Sequence, residues 1–190
     1  GRTFPIETRY AGRPGDRRIE DAMADTIVRA VRADTGSVLA FLPGQSEIRR
    51  TAERITGKLD PAIFDIVELH GRLDARTQRQ AIEPALAGRR KIVLATSIAQ
   101  TSITIEGVRI VVDCGLERVP RYDAGAGMTR LATIPVSRAT ADQRRGRAGR
   151  TEPGVCWRLW DEAQTAGLRP FTEPEIRNAD LSGLLLDCDA

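Results

Sequence analysis

Cysteine is scarce in this chain: Cys114, Cys156 and Cys188 make an odd number, with no CxxC spacing. That argues against a disulfide scaffold and against structural zinc, so no metal site is expected and a reducing cytoplasm is the expected setting. His70 is the only histidine, follows a strand-like run and has no visible Cys or carboxylate partner, so it reads as structural. No apolar run approaches the roughly 20 residues that cross a bilayer, which gives no membrane association. The opening GRTFPIETRY has no apolar stretch of the kind a signal peptide carries. Internal repeats and low-complexity tracts are absent too. With 190 residues, 41% hydrophobic and 29% charged, the chain fits one globular domain of ordinary size, or a domain with a tail.

Lysine is the other scarcity. Of 29 basic residues only Lys58 and Lys91 are lysines, which leaves 27 arginines against 26 acidic residues. A genome rich in G and C produces that bias without functional cause. Alternatively some of the guanidiniums hold phosphate, which their planar fork binds bidentately. Clustering decides between the two.

Apolar residues recur at helical spacing from Ile19 to Val31, and helices are also expected over 46–59, 75–86 and near 98–102. Short, continuous apolar runs at 38–42, 63–69, 91–95, 109–113 and 155–160 read as buried strands. Such strands alternating with helices predict an α/β fold with a mainly parallel sheet covered on both faces. One stretch breaks the rhythm. Residues 116–122 and 128–136 alternate apolar and polar around Asp123-Ala-Gly-Ala-Gly127, the pattern of an inserted antiparallel β-hairpin. Trp157 and Trp160 bracket the last strand and read as packing residues, and Cys114 as a small buried hydrophobe. The segment around Pro170 and Pro174 reads as a connector, followed by a last helix over 180–186.

Residues 143–150 read Gln-Arg-Arg-Gly-Arg-Ala-Gly-Arg. On a continuous helix Gln143, Arg147 and Arg150 fall within about 60° of one another, and Gly146 and Gly149 share a neighbouring stripe. Each glycine costs a helix about 1 kcal/mol relative to alanine, so close approach of another surface is expected there. One amide and two guanidiniums on one face suit a triphosphate presented by a second surface. Arginines so used neutralise charge on a transferred phosphoryl group and contribute about 10³ to 10⁵ in rate. A solvated basic face, or a nonspecific RNA-binding helix, is the plainer reading of the octet alone.

QRRGRAGR resembles the sixth motif of superfamily 2 helicases in its DEAH-box RNA helicase form. ATSIAQTSITIEGV (95–108) is similar to that family's fifth motif, VLAFLPGQSEI (38–48) to its fourth, and LHGRLDARTQRQAIEP (69–84) to the segment between. Order, spacing and the hairpin before the last motif match, and IEGVRIVVDCGLERVPRYD is most similar to the bacterial HrpB-type branch. The resemblance covers nearly the whole chain. It implies a RecA-like three-layer sandwich: the second lobe of an ATP-dependent RNA helicase, with an extended inter-lobe linker over 1–15, the lobe proper over 16–168 and its hairpin at about 116–136. The connector and helix over 169–190 then lead to a C-terminal region outside this chain.

The other half of such a site is not found. A P-loop needs lysine in GxxxxGK[ST]; Lys58 has Ala52 at the first glycine position and Leu59 after it, and Lys91 follows Arg90. Asp161-Glu162-Ala163-Gln164 imitates a DEAH box but lies downstream of the arginine segment, so Asp161 reads as a helix cap. The resemblance therefore places ATP and Mg²⁺ in the full-length enzyme, with the Mg²⁺ ligands on the first lobe, and no turnover by this portion alone.

For matching positions the resemblance implies Arg147 and Arg150 as arginine fingers and Gln143 as a residue positioning attacking water or a phosphate oxygen. Arg144, about 100° off that face, reads as structural or ion-paired. Ser102 and Thr104 match nucleotide-side positions, and Glu106, where the family usually has Asp, lies near the ribose. Thr96 and Ser97 match a pair that holds RNA backbone, with Ser in place of Asn. Gly44 and Gln45 match a further backbone contact, where glycine admits a phosphate close to the main chain. Gln100 replaces the usual Glu, with no role derivable from sequence, and Ile82 stands where relatives carry a base-stacking aromatic. Arg118, Arg121 and Arg130 lie on the hairpin, as a barrier to a duplex or as a docking surface for the C-terminal region. The implied partners are single-stranded RNA, the first lobe and that C-terminal region. A stand-alone RNA-binding module is the alternative.

Overall fold

The structure, a computed structural model, describes residues 3–69 and 74–172. His70, Cys188 and the helix expected over 180–186 lie outside the described residues. The apolar runs become strands because each has side chains to bury on two faces. In β2 (Ser37–Phe41), Val38 and Ala40 enter one core while Leu39 and Phe41 enter another. The same alternation divides Ile92 and Leu94 from Val93 and Ala95 in β4 (Arg90–Ala95), and Ile110 and Val112 from Val111 in β5 (Val108–Asp113).

Six strands form one parallel sheet in the order β1-β8-β5-β2-β4-β3, where β1 is Ile6–Tyr10, β3 is Phe64–Leu69 and β8 is Gly154–Arg158. α1 (Ile19–Ala33) and α2 (Gln45–Thr56) pack on one face. α3 (Ala75–Ile82) and the single turn α4 (Ile98–Thr101) contribute to the core on the other. The strands β6 (Leu116–Asp123) and β7 (Met128–Pro135) pair antiparallel as a separate two-stranded sheet. This is the RecA-like α/β architecture with an inserted hairpin that the sequence predicts.

Two expectations change. The opening segment, read as an extended linker, is extended but also joins the sheet: it carries β1, which pairs in register with β8 from Ile6↔Gly154 to Tyr10↔Arg158 and forms an edge. IETRY lacks a continuous apolar run because an edge strand has less to bury. The arginine segment is not one helix either. α5 (Arg138–Arg145), capped by the Ser137 hydroxyl on the Thr140 N–H at 3.1 Å, gives way to a 3-10 helix, Gly146–Gly149. The 100° spacing therefore fails beyond Arg145. Gly149 is the glycine that meets another surface, and that surface is the chain's own β1 segment. A Cβ there would lie 2.6 Å from the Phe4 carbonyl oxygen and 2.7 Å from Ile6 Cγ1, whereas nothing lies within 4 Å of one on Gly146.

Trp157 and Trp160 pack as expected. The guanidiniums of Arg9 (5.3 Å) and Arg29 (5.0 Å) both lie over the Trp157 ring, and buried Trp160 donates from Nε1 to Thr165 Oγ1 at 3.0 Å. Asp161 stands at the N-cap of a 3-10 helix, Glu162–Gly167, its backbone N–H donating to Gln164 Oε1 at 2.9 Å.

Candidate functional site

In an open parallel sheet the carboxyl ends of the strands leave their carbonyls and following loops free to face a ligand. Here β2 runs into Pro43-Gly44 and the start of α2, and β4 into Thr96-Ser97 and α4. A groove of about 440 Å³ at that edge is lined by Pro43, Gly44, Gln45, Thr96, Ser97, Arg118 and Leu131. It thus gathers the four positions assigned to RNA backbone and adds two residues of the hairpin. Arg118 reaches in from β6: its Nη2 donates to Glu47 Oε2 at 2.8 Å and its Nε to Thr133 Oγ1 at 3.0 Å. A Cβ on Gly44 would collide with Arg118 Nη1. The glycine therefore makes room for a guanidinium of this chain, which now covers the main chain expected to meet phosphate.

Arg118 is set apart from the other two hairpin arginines, Arg121 and Arg130, which are cross-strand partners. Arg121 lines a different groove, of about 350 Å³, with Val119, Ile134 and residues 169–172. Arg130 is exposed towards the tip, 3.9 Å from Asp123. Residues three apart on a strand face opposite ways, which separates Arg118 from Arg121. Ile82 is half-buried against the core, and its carbonyl accepts the Glu106 N–H at 3.2 Å.

On the opposite side of α4, Ser102, Thr104 and Glu106 are exposed while Ile103 and Ile105 turn into the core. The four arginines of the octet divide by direction. Arg145 turns to the sheet edge, donating to Thr8 Oγ1 at 2.6 Å and to the Ile6 carbonyl at 2.7 Å. Arg144 is completely buried. It pairs with Asp113 Oδ1 at 2.8 Å, donates to the Leu116 carbonyl at 2.9 Å, to Gln100 Oε1 at 2.8 Å and to Ser97 Oγ at 3.2 Å, and lies 4.9 Å from the Phe41 ring. Burial works to lower its pKa, but Asp113 and the neighbouring acceptors outweigh that and hold it above the ordinary arginine value.

Arg147 and Arg150 are left for the rim. Arg147 Nη2 donates to the Gln100 carbonyl. Its pKa is lowered, first by partial burial and then by the charge of Arg150, so the two cations are neighbours. Gln143 Oε1 accepts from Gln100 Nε2 at 3.3 Å. Gln100, without a role in sequence, thus bonds at once to Gln143, Arg144 and Arg147. Only proximity reveals this, since its partners lie more than forty residues away. Glu47 was missed for the same reason.

Among the described residues no group of three or more His, Cys, Asp or Glu could hold a metal ion, and no helix is long and apolar enough to cross a membrane.

Residues 21–152 match the family model for the helicase conserved C-terminal domain. The chain is 47% identical over 187 residues to the ATP-dependent RNA helicase HrpB of Escherichia coli K12, covering 98% of this chain and 23% of that protein. It is 37% identical over 193 residues to the pre-mRNA-splicing factor ATP-dependent RNA helicase prp22 of Schizosaccharomyces pombe, covering 98% and 16%. The crystal structure of the E. coli DExH-box NTPase HrpB superposes with a TM-score of 0.91 at 48% identity, over 97% of this chain and 23% of that one. The chain thus spans about a quarter or less of the length of these relatives. With the motifs, the sheet order and the hairpin in agreement, the chain belongs to the helicase conserved C-terminal domain family, as a RecA-like second lobe of the DEAH-box, HrpB type.

Proposed function

We propose that this chain serves an ATP-dependent RNA helicase as the lobe that completes the ATP site and grips the RNA backbone. Arg147 and Arg150 act as arginine fingers towards the γ-phosphate, and Gln143 positions a phosphate oxygen or the attacking water. Ser102, Thr104 and Glu106 face the nucleotide. Gly44, Gln45, Thr96 and Ser97 hold RNA backbone, with Arg118 at their mouth. The observation that carries the reading is the gathering of Gln143 and Arg147 on one rim through Gln100, with Arg147's pKa lowered first by partial burial and then by the charge of nearby Arg150. Two cations side by side repel; an anion between them removes the repulsion. Gln143 and the two guanidiniums supply donors in the number a triphosphate tail accepts. ATP, with Mg²⁺ held by the first lobe, supplies the phosphoryl group. This chain's residues neutralise the charge that develops on it and, by changing their grip between open and closed states, shift the RNA.

The test uses the full-length protein. Arg147→Ala and Arg150→Ala each lower ATP turnover by about 10³-fold or more, while RNA affinity without nucleotide changes less than about threefold. Normal ATP turnover in both variants overturns the reading. A stand-alone RNA-binding module behaves the opposite way: it loses RNA affinity, and the salt dependence of binding flattens by about 0.7 per lost phosphate contact.

A further inference from the structure

A carboxylate stands directly behind the wall of the RNA groove, against Arg118 and Gly44. Glu47 lies in the first turn of α2, where a negative charge is favoured by the helix's exposed N–H groups, and a phosphate favours the same position. Its Oε2 holds Arg118 Nη2 at 2.8 Å. Its Oε1 is buried without a hydrogen-bond partner and lies 3.2 Å from where a Cβ of Gly44 would stand. Arg118 is thereby held in place, with Nη2 on Glu47, Nε on Thr133 and Nη1 lying over Gly44. A phosphate arriving at Gly44 and Gln45 has to take Arg118 from a carboxylate and then sit beside that carboxylate.

We propose that Glu47 is an internal competitor for RNA phosphate, which occupies Arg118 and the Gly44 end of the groove in the RNA-free lobe and sets how tightly backbone is held there. The inference rests on the reading of this groove as the RNA site and adds a residue that weakens binding to those that make it. Binding exchanges one anion for another on the Arg118 guanidinium, so the gain from each phosphate contact here is reduced by the lost Arg118–Glu47 pair. Weak, easily reversed contact suits a strand that must be released in every cycle.

Full-length protein is titrated with single-stranded oligouridylate, without nucleotide, over a range of salt concentrations. Glu47→Gln, which keeps the shape and removes the charge, tightens binding by about 3- to 10-fold at low salt, the size expected of one partly screened charge a few ångströms from another. Glu47→Ala does the same and serves if the amide folds poorly. Arg118→Ala weakens binding and flattens the salt slope by about 0.7. In the Arg118→Ala background most of the gain from Glu47→Gln disappears, because the carboxylate acts chiefly through that arginine. Unchanged or weaker binding by both Glu47 variants overturns the proposal, as does an equal gain with and without Arg118. Thr96→Ala separates the two levels: if it and Arg118→Ala both leave affinity intact, the groove is not the RNA site and both readings fall. If they weaken binding while the Glu47 variants fail to tighten it, the competitor alone falls.

Discussion

A guanidinium without access to water survives only when every donor is used. Arg144 comes close to that condition, with four hydrogen bonds from its five N–H groups to Asp113 at the end of β5, Leu116 at the root of the hairpin, Ser97 after β4 and Gln100 in α4. The residue joins these segments of the site and, being completely buried, acts on the ligand positions only by holding residues such as Ser97 in place. Removing one partner of such a pair costs about 3 to 5 kcal/mol, because the other charge is left buried and unpaired. Arg144→Met alone is therefore expected to destabilise the fold by roughly that amount in urea unfolding. Combining it with Asp113→Leu is expected to recover part of the loss, since an apolar pair leaves no orphaned charge although the Gly115 N–H loses its acceptor. A double variant as unstable as the sum of the two single ones would show that the pair is not the unit. The sequence placed Arg144 off the functional face, and that much was legible from spacing. Its partners were not, because they are set by tertiary proximity and not by period.

At the scale of elements, the strands β2, β4, β5 and β8 were readable because burial on both sheet faces leaves an unbroken apolar run. The hairpin was readable because a sheet outside the main core alternates. β1 was not, since an edge strand made of IETRY carries polar residues at positions a central strand would fill with Val or Ile. The arginine octet was recognised correctly as a segment and misjudged in geometry, because two glycines three apart fit a helix and a 3-10 turn equally well. The two glycines make opposite predictions. Gly149→Ala forces a methyl group against the Phe4 carbonyl and Ile6 and is expected to cost about 1 to 3 kcal/mol. Faster amide exchange should follow in Ile6–Tyr10 as β1 loosens. Gly146 has helical dihedrals (φ −60°, ψ −18°) and open space around it, so Gly146→Ala is expected to stabilise by about 0.5 to 1 kcal/mol. Thermal melting of the two variants shifts in opposite directions, and a shared sign would mean that the segment is packed differently.

For the molecule as a whole, the thiols report on how completely the sheet is covered. Cys114 lies in the core on the α1 and α2 face and Cys156 in the core on the other face. Burial pushes both thiols up to about 12. In the unfolded chain a thiol ionises near 8.5, so above that pH the unfolded state loses a proton which the folded state keeps. A raised folded pKa means that the stabilising contribution is complete below about pH 8.5 and is lost progressively as pH rises towards 12. By pH 10 each thiol contributes roughly 2 kcal/mol less than at neutral pH. Unfolding free energy measured by urea between pH 7 and 10 is accordingly expected to fall, and a Cys114→Ala/Cys156→Ala variant should show a shallower fall over the same range. Labelling gives an independent check. With Cys188 replaced by Ser, a thiol reagent at pH 8 is expected to modify neither remaining cysteine in the native protein and both after denaturation. Under native conditions the slow residual reaction should proceed at one rate for the two sites, because reaching either face requires the layers to separate. Unequal rates would mean that one face of the sheet opens without the other.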